Sequence, residues 1–426
     1  NTQDAFYAAE KDYYNRQGPL FTELFQKLTE AMLTSKFRAQ LEEELGSVLF
    51  ENAELNQKAF DESIIEDLQQ ENELTSCYTK LMASAKIQFY GRTLNLAQLG
   101  YYMAQPQREL RRQAYAARTQ FFMAYNQELD DIFDQLVKVR TRLARKLGYD
   151  NFVDVGYFRM TRNSYGSDDV AEFRAQVKKY VVPLTKRLYE RQRKRLGLDK
   201  LMFFDANLCF KEGNPAPIGT PQKMFENART MYHEMAPETG EFFDFMMDNE
   251  LFDVLSKPGK AIGGYCAYLT KYKSPFIFAN FNGTHSDVDV LTHEAGHAFM
   301  SYLSGDIYPP DNRYTTAETS EIHSMSMEYF AWPWMHLFFG QDADKYRFMH
   351  LSNQMFFLPS GCAVDEFQHI IYSNPDMTPG ERKEVWKNLE ETYQPHLDFD
   401  DDPFFGEGGT WQRYLHIYEL PFYYID

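Results

Sequence analysis

The sequence predicts a mainly α-helical protein with one small β-sheet immediately before a helix that carries the pattern H-E-x-x-H. Three observations predict it. From residue 1 to about 195, Gly and Pro are rare and apolar residues recur at spacings of three and four. Gly and Pro punctuation sets in only after Gly197. β-Branched and aromatic runs between turn residues then gather in GKAIGGYCAYLTKYKSPFIFANFNGT, residues 259–284.

In chain order, YTKLMASAKIQFY at 78–90 and LDDIFDQLVKVRTRLARKLGYD at 129–150 both keep helical spacing, the second up to a helix stop at Gly148. The Lys- and Arg-rich KRLYERQRKRLGLDK at 186–200 reads as a solvated helix end, where cations suit the negative pole of the helix dipole. NLCFKEGNPAPIGTP at 207–221 is a loop, and a helical stretch follows to about residue 255. The sheet segment comes next, then the motif helix, then the loop SGDIYPPDNRY at 304–314. Helical periodicity returns from about 316, and no repeat of the length that builds solenoids is present.

With 62 acidic against 44 basic residues, the 426-residue chain carries a net charge of −18, which opposes association with nucleic acid or an anionic membrane. Cys77, Cys209, Cys266 and Cys362 are too widely spaced for a disulfide framework or a zinc ribbon, so a reducing, cytoplasmic setting is expected. No apolar run is long enough to span a membrane, and the first residues lack the pattern of a secretory signal. The sequon at Asn282 therefore reads as a turn.

The chemistry concentrates in DVDVLTHEAGHAFMSYL, residues 287–303. Residues four apart lie one turn apart on the same helix face, so His293 and His297 can present imidazole nitrogens to one zinc ion. Glu294 then stands beside the metal, placed to take a proton from bound water whose pKa falls to around 7. Met300 and Leu303 occupy positions where a metzincin has Gly and His, so the third ligand must come from another element. In TTAETSEIHSMSMEYFAWPW, Thr315 and Glu318 match a capping box, which gives Glu318 a structural role. Glu321, one turn deeper on a face shared with Ser324, Met325 and Glu328, is the expected ligand. Asp289 and Glu328 are each candidates to accept a hydrogen bond from a ligand histidine or else to be solvated charges. His285, His323 and His369 read as ordinary polar residues of the core or rim. GGYC and SPFIFANF offer strand edges for an extended peptide, or simply fill a small sheet.

These residues, together with AVDEFQH, HIYELPFYYID and the stretch at 52–85, resemble the thimet-oligopeptidase family of zinc metallopeptidases, in particular its oligoendopeptidase F branch. The resemblance implies a multi-helix peptidase enclosing a deep channel and one zinc ion held by His293, His297 and Glu321, with Glu294 as the base. It also implies that His416, Tyr423 and Tyr424 donate hydrogen bonds to the oxyanion of the tetrahedral intermediate. The organisation it implies is an amino-terminal helical region at 1–105 and a peptidase region at 106–426, with the catalytic core from about 200. The expected activity is zinc-dependent hydrolysis of internal bonds in short, unfolded oligopeptides. The alternatives are a zinc carboxypeptidase and a non-catalytic peptide-binding protein. The family pattern runs on beyond a motif like LHIYELPFYYID, and an apolar terminus is unfavourable in water, so the polypeptide is expected to continue past Asp426.

Overall fold

The computed structural model describes residues 1–425, without the side chain of Glu318. The amino-terminal part is helical, as its spacing predicts: α1 Ala5–Leu33, α2 Arg38–Leu45, α3 Ser47–Lys58, α4 Ile65–Ala83, α5 Leu96–Met103 and the long α6 Arg108–Lys146. The helical reading of 78–90 fails at its end. α4 stops at Ala83, and Ile87–Phe89 (β1) pairs antiparallel with Arg92–Leu94 (β2). Tyr90 and Gly91 both take positive φ there, the geometry of a tight hairpin turn. The signal was the alternation of Ile87 and Phe89 before a Gly.

After α7 Phe152–Arg159, α8 Ser167–Gln176 and α9 Val182–Leu196 are joined by a π turn. Gly197 ends α9 in the left-handed conformation. Arg193 and Arg195 donate to the carbonyls of Leu198 and Cys209, so part of the basic stretch caps its own surroundings. α10 Pro221–Met235 and α11 Pro237–Asp248 follow, and the helical stretch ends earlier than expected, because Phe252–Leu255 forms β3.

β4 Tyr265–Leu269 and β5 Ser274–Phe281 complete a sheet of order β3-β5-β4, with β3 parallel and β4 antiparallel to β5. SPFIFANF is therefore the central strand and offers no edge; β4 does. α12 Ser286–Leu303 carries the motif, and α13 Ala317–Phe330 packs along it. Then come α14 Met335–Phe339, α15 Ala343–Ser373, α16 Pro379–Tyr393 and the short α17 Leu415–Glu419.

Two large apolar cores hold these elements. The first gathers α4 to α8, the carboxyl half of α15 (Cys362, Val364, Phe367, Ile371) and the segment from Phe404 to Phe422. The second gathers α10, α11, the sheet, α12, α13 and the amino half of α15 (Ala343, Tyr346, Met349). α15 passes from one core to the other around Pro359, which removes a hydrogen bond from the helix interior.

Candidate metal centre

α12 begins with Asp287, whose carboxylate accepts the backbone N–H groups of Asn282 and Gly283 and so closes the turn that leads from β5. Asn282 is bound within that turn, accepting from Thr284 and donating to the Ala97 carbonyl, in line with the turn reading of its sequon. Nearly two turns later α12 presents His293, and one turn after that His297, to a cavity of about 790 Å³. β4 forms one wall of this cavity with Tyr265, Cys266 and Tyr268.

Gly296, inside the motif, decides how near α13 can come. A Cβ at this position would lie 2.7 Å from the His323 carbonyl oxygen and 2.7 Å from Ser324 Cα. With no side chain there, α13 runs antiparallel against α12 and delivers Glu321. Its carboxylate oxygens lie 3.2 Å from His293 Nε2 and 3.8 Å from His297 Nε2. The three side chains offer donor atoms that all lie within 4.8 Å of one another, a two-imidazole, one-carboxylate set suited to a divalent metal. α13 starts one residue later than expected: its N-cap is Thr316, which makes no side-chain capping bond, and the Glu318 half of the expected capping box lies outside the described residues.

His293 Nδ1 lies 2.7 Å from Glu328 Oε1. Glu328 Oε2 in turn meets His350 Nε2 at 2.5 Å and Gln354 Nε2 at 3.2 Å, and the Trp332 indole donates to His350 Nδ1. A buried carboxylate thus fixes the His293 tautomer that leaves Nε2 for the metal. Asp289, the other candidate, does not reach a ligand histidine; it accepts from Tyr346 and pairs with His285. Ser324 donates to Glu321 Oε2, and the Tyr423 hydroxyl donates to Glu321 Oε1. His369 meets the Tyr157 hydroxyl, and His323 is half-buried on α13, where burial lowers its pKa.

The electrostatics follow from this packing. Burial opposes a charge on His293, but Glu321 and Glu328 overrule it and hold its pKa up to about 10. Burial and the His293 charge push His297 down to about 4. Burial alone would raise Glu321, yet the His293 ring and the Tyr423 hydroxyl hold it down to about 2. A proton on His293 occupies the place a cation would take, so metal and proton compete for one pair of atoms. Burial pushes the Glu294 carboxyl up to about 7, and its Oε2 has no hydrogen-bond partner among the described residues.

His416, Tyr423 and Tyr424 line the same cavity from the other core. The His416 ring lies 4.6 Å from that of Tyr423 and 5.0 Å from that of Tyr424 between centroids, its Nδ1 is buried without a partner among the described residues, and burial lowers its pKa to about 4. The structure thus brings every candidate site residue to one space. Sequence reasoning missed Gly296, His350 and Cys266; of these, Gly296 carried a signal, a Gly inside a strong helix.

The sequence matches the model of peptidase family M3 over residues 101–426 and that of the peptidase M3 N-terminal domain over 1–60. A solved structure assigned as an oligoendopeptidase F is 52% identical, covers 100% of this chain with 75% of its own, and superposes with a TM-score of 0.99. PZ peptidase A, solved with an inhibitor, is 50% identical over 100% of this chain and 76% of its own, with a TM-score of 0.99. A protein assigned as an oligoendopeptidase F from Bacillus anthracis is 47% identical over 97% of this chain and 75% of its own, with a TM-score of 0.91. No curated protein sequence matches. No helix among the described residues is long and apolar enough to cross a membrane.

Proposed function

The chain belongs to peptidase family M3 and is a metalloendopeptidase acting on oligopeptides, and from that premise we propose the chemistry of its site: one zinc ion held by His293, His297 and Glu321, with Glu294 moving the protons. The observation that carries this reading is the convergence of two imidazole nitrogens and a carboxylate, within 4.8 Å of one another, beside the buried Glu294 carboxylate, whose Oε2 has no hydrogen-bond partner among the described residues. Nitrogen and oxygen donors in this number, with one histidine tautomer fixed by Glu328, fit zinc in an open catalytic site.

A zinc ion bound there supplies a Lewis acid for the scissile carbonyl and lowers the pKa of water to about 7. Glu294 accepts the proton of the attacking water and returns it to the leaving amine. Its burial suits that role, since desolvation raises a carboxyl toward the range in which it both takes and gives a proton. His416 and Tyr424 face the developing oxyanion as hydrogen-bond donors, each such donor contributing roughly 3–4 kcal/mol. Tyr423 acts first on Glu321, holding the ligand carboxylate in place. β4, the sheet edge beside Glu294, supports binding of an extended peptide by strand addition. A cytoplasmic setting and an enclosed channel that admits only unfolded peptides complete the reading.

The test is hydrolysis of an internally quenched peptide of about ten residues, with and without a chelator, alongside a folded protein of similar composition. Chelator-sensitive internal cleavage of the peptide alone is expected. Glu294→Gln retaining wild-type turnover would falsify the assignment of the base.

A further inference from the structure

Tyr424, which lines the cavity, touches a second group of side chains through Tyr414. The Tyr414 ring lies 5.7 Å from that of Tyr424, its hydroxyl meets Ser360 Oγ at 3.3 Å and accepts from Arg413 Nη2 at 2.9 Å. Arg413 keeps an exposed side chain, with its guanidinium 4.7 Å over the centroid of the Tyr414 ring. Next to it, the half-buried Arg118 is held between the rings of Tyr115 and Phe405, 4.6 Å from each centroid, and its Nε is buried without a hydrogen-bond partner among the described residues.

These two guanidiniums differ from the other interior arginines. Arg111, Arg140 and Arg174 each pair directly with a buried carboxylate, Asp205, Glu71 and Asp365. Among the described residues, no carboxylate stands within ion-pair distance of Arg118 or Arg413, and the two repel one another. The nearby carboxylates are engaged or poorly charged. Asp402 accepts from Thr119 and from the N–H groups of Phe404 and Phe405, while burial holds the Glu390 carboxyl up to about 7. Two like charges brought together without a carboxylate between them repel one another, and an anion that joins them removes that repulsion.

We propose that Arg118 and Arg413, with the Tyr414 hydroxyl, form a subsite that binds a carboxylate of the peptide substrate. It rests on the peptidase reading above and adds a second anchor to the metal: the peptide is held at its reacting bond and at an anionic group beyond Tyr424. The carboxylate comes from the peptide's C-terminus or from an acidic side chain near it, and both present the planar, two-oxygen geometry that a guanidinium grips.

The experiment uses the zinc-loaded full chain and one peptide sequence in graded lengths, as the free acid, as the amide, and as the amide with Asp in the last position. Above the length that spans the two sites, kcat/KM for the acid should exceed that for the amide by about ten- to a hundredfold, mostly through KM. Arg118→Gln and Arg413→Gln should bring that ratio to about one while the amide is still cleaved. Rescue of the amide by Asp identifies a side-chain carboxylate; no rescue identifies the terminus. Binding of the acid over the amide to Glu294→Gln, measured by titration calorimetry, reads the subsite without turnover. Equal kcat/KM for acid and amide at every length, or equal loss of both in the arginine variants, overturns the subsite and leaves the peptidase reading standing. Failure of the wild type to cleave any of the peptides would instead strike the reading on which it rests.

Discussion

Replacing Gly296 by Ala should damage the metal site without altering any ligand. The new Cβ would lie 2.7 Å from the His323 carbonyl oxygen, 2.7 Å from Ser324 Cα and 3.0 Å from Met327 Cβ. All three belong to the backbone or its first side-chain atom, so none can swing aside. To restore ordinary contact, α13 must retreat from α12 by roughly 0.5–1 Å. Glu321 sits one turn before Ser324 and moves with it. Zinc ligands tolerate about ±0.2 Å, so the retreat pulls the carboxylate off its bonding distance. Zinc affinity should fall by about ten- to a hundredfold, comparable to losing a supporting hydrogen bond, and overpacking should cost about 1–3 kcal/mol of stability. Competition with a chromophoric chelator measures the first and urea unfolding of the metal-free protein the second. Wild-type zinc affinity in Gly296→Ala would refute the argument that this close approach sets the position of Glu321.

Other outcomes follow from the same geometry. Glu328→Ala should weaken zinc by about ten- to a hundredfold, because His293 loses the acceptor that fixes its tautomer; Asp289→Asn, which touches no ligand, should not, and chelator competition compares the two. Glu321→Ala should lower zinc content, whereas Glu294→Gln should keep zinc and lose turnover, as metal analysis beside a peptide assay will show. His416→Ala should lower kcat by about a hundred- to a thousandfold with little change in zinc content. Glu390 gives a pH test away from the metal. Its folded carboxyl is held up to about 7 from an ordinary 4.5, so between those values the folded chain keeps a proton the unfolded chain has released, and stability falls as pH rises. Glu390→Gln should match the wild type below pH 4.5 and exceed it at pH 8 by roughly 3 kcal/mol, read from urea midpoints.

The motif helix was legible because its chemistry needs side chains at fixed local spacing, and His293, Glu294 and His297 supply it within one turn. Glu321 could be chosen over Glu318 from helix faces alone, since both lie on a predictable element. Asp289 and Glu328 could not be separated that way: both share a face with their targets, and only the antiparallel docking of α13 brings Glu328 to His293 while Tyr346 takes up Asp289. The short strands at Ile87–Phe89 and Phe252–Leu255 were absorbed into helices because three or four residues carry too little periodicity to oppose the runs before them. The order of the second sheet was illegible for another reason. SPFIFANF becomes central only when β3 arrives beside it, a pairing that depends on where α10 and α11 pack.

The passage of α15 through both cores has a mechanical consequence. Its amino half packs with the elements that carry His293, His297 and Glu321, and its carboxyl half with the segment that carries His416 and Tyr424, so the helix spans the cavity as a lever. From Pro359 to Ala343 it is about 24 Å long, and a bend of about ten degrees at Pro359 displaces its end by roughly 4 Å. That is more than the length of a hydrogen bond. The separation between the His293, His297 and Glu321 group and the His416 and Tyr424 group therefore depends on the angle of one helix.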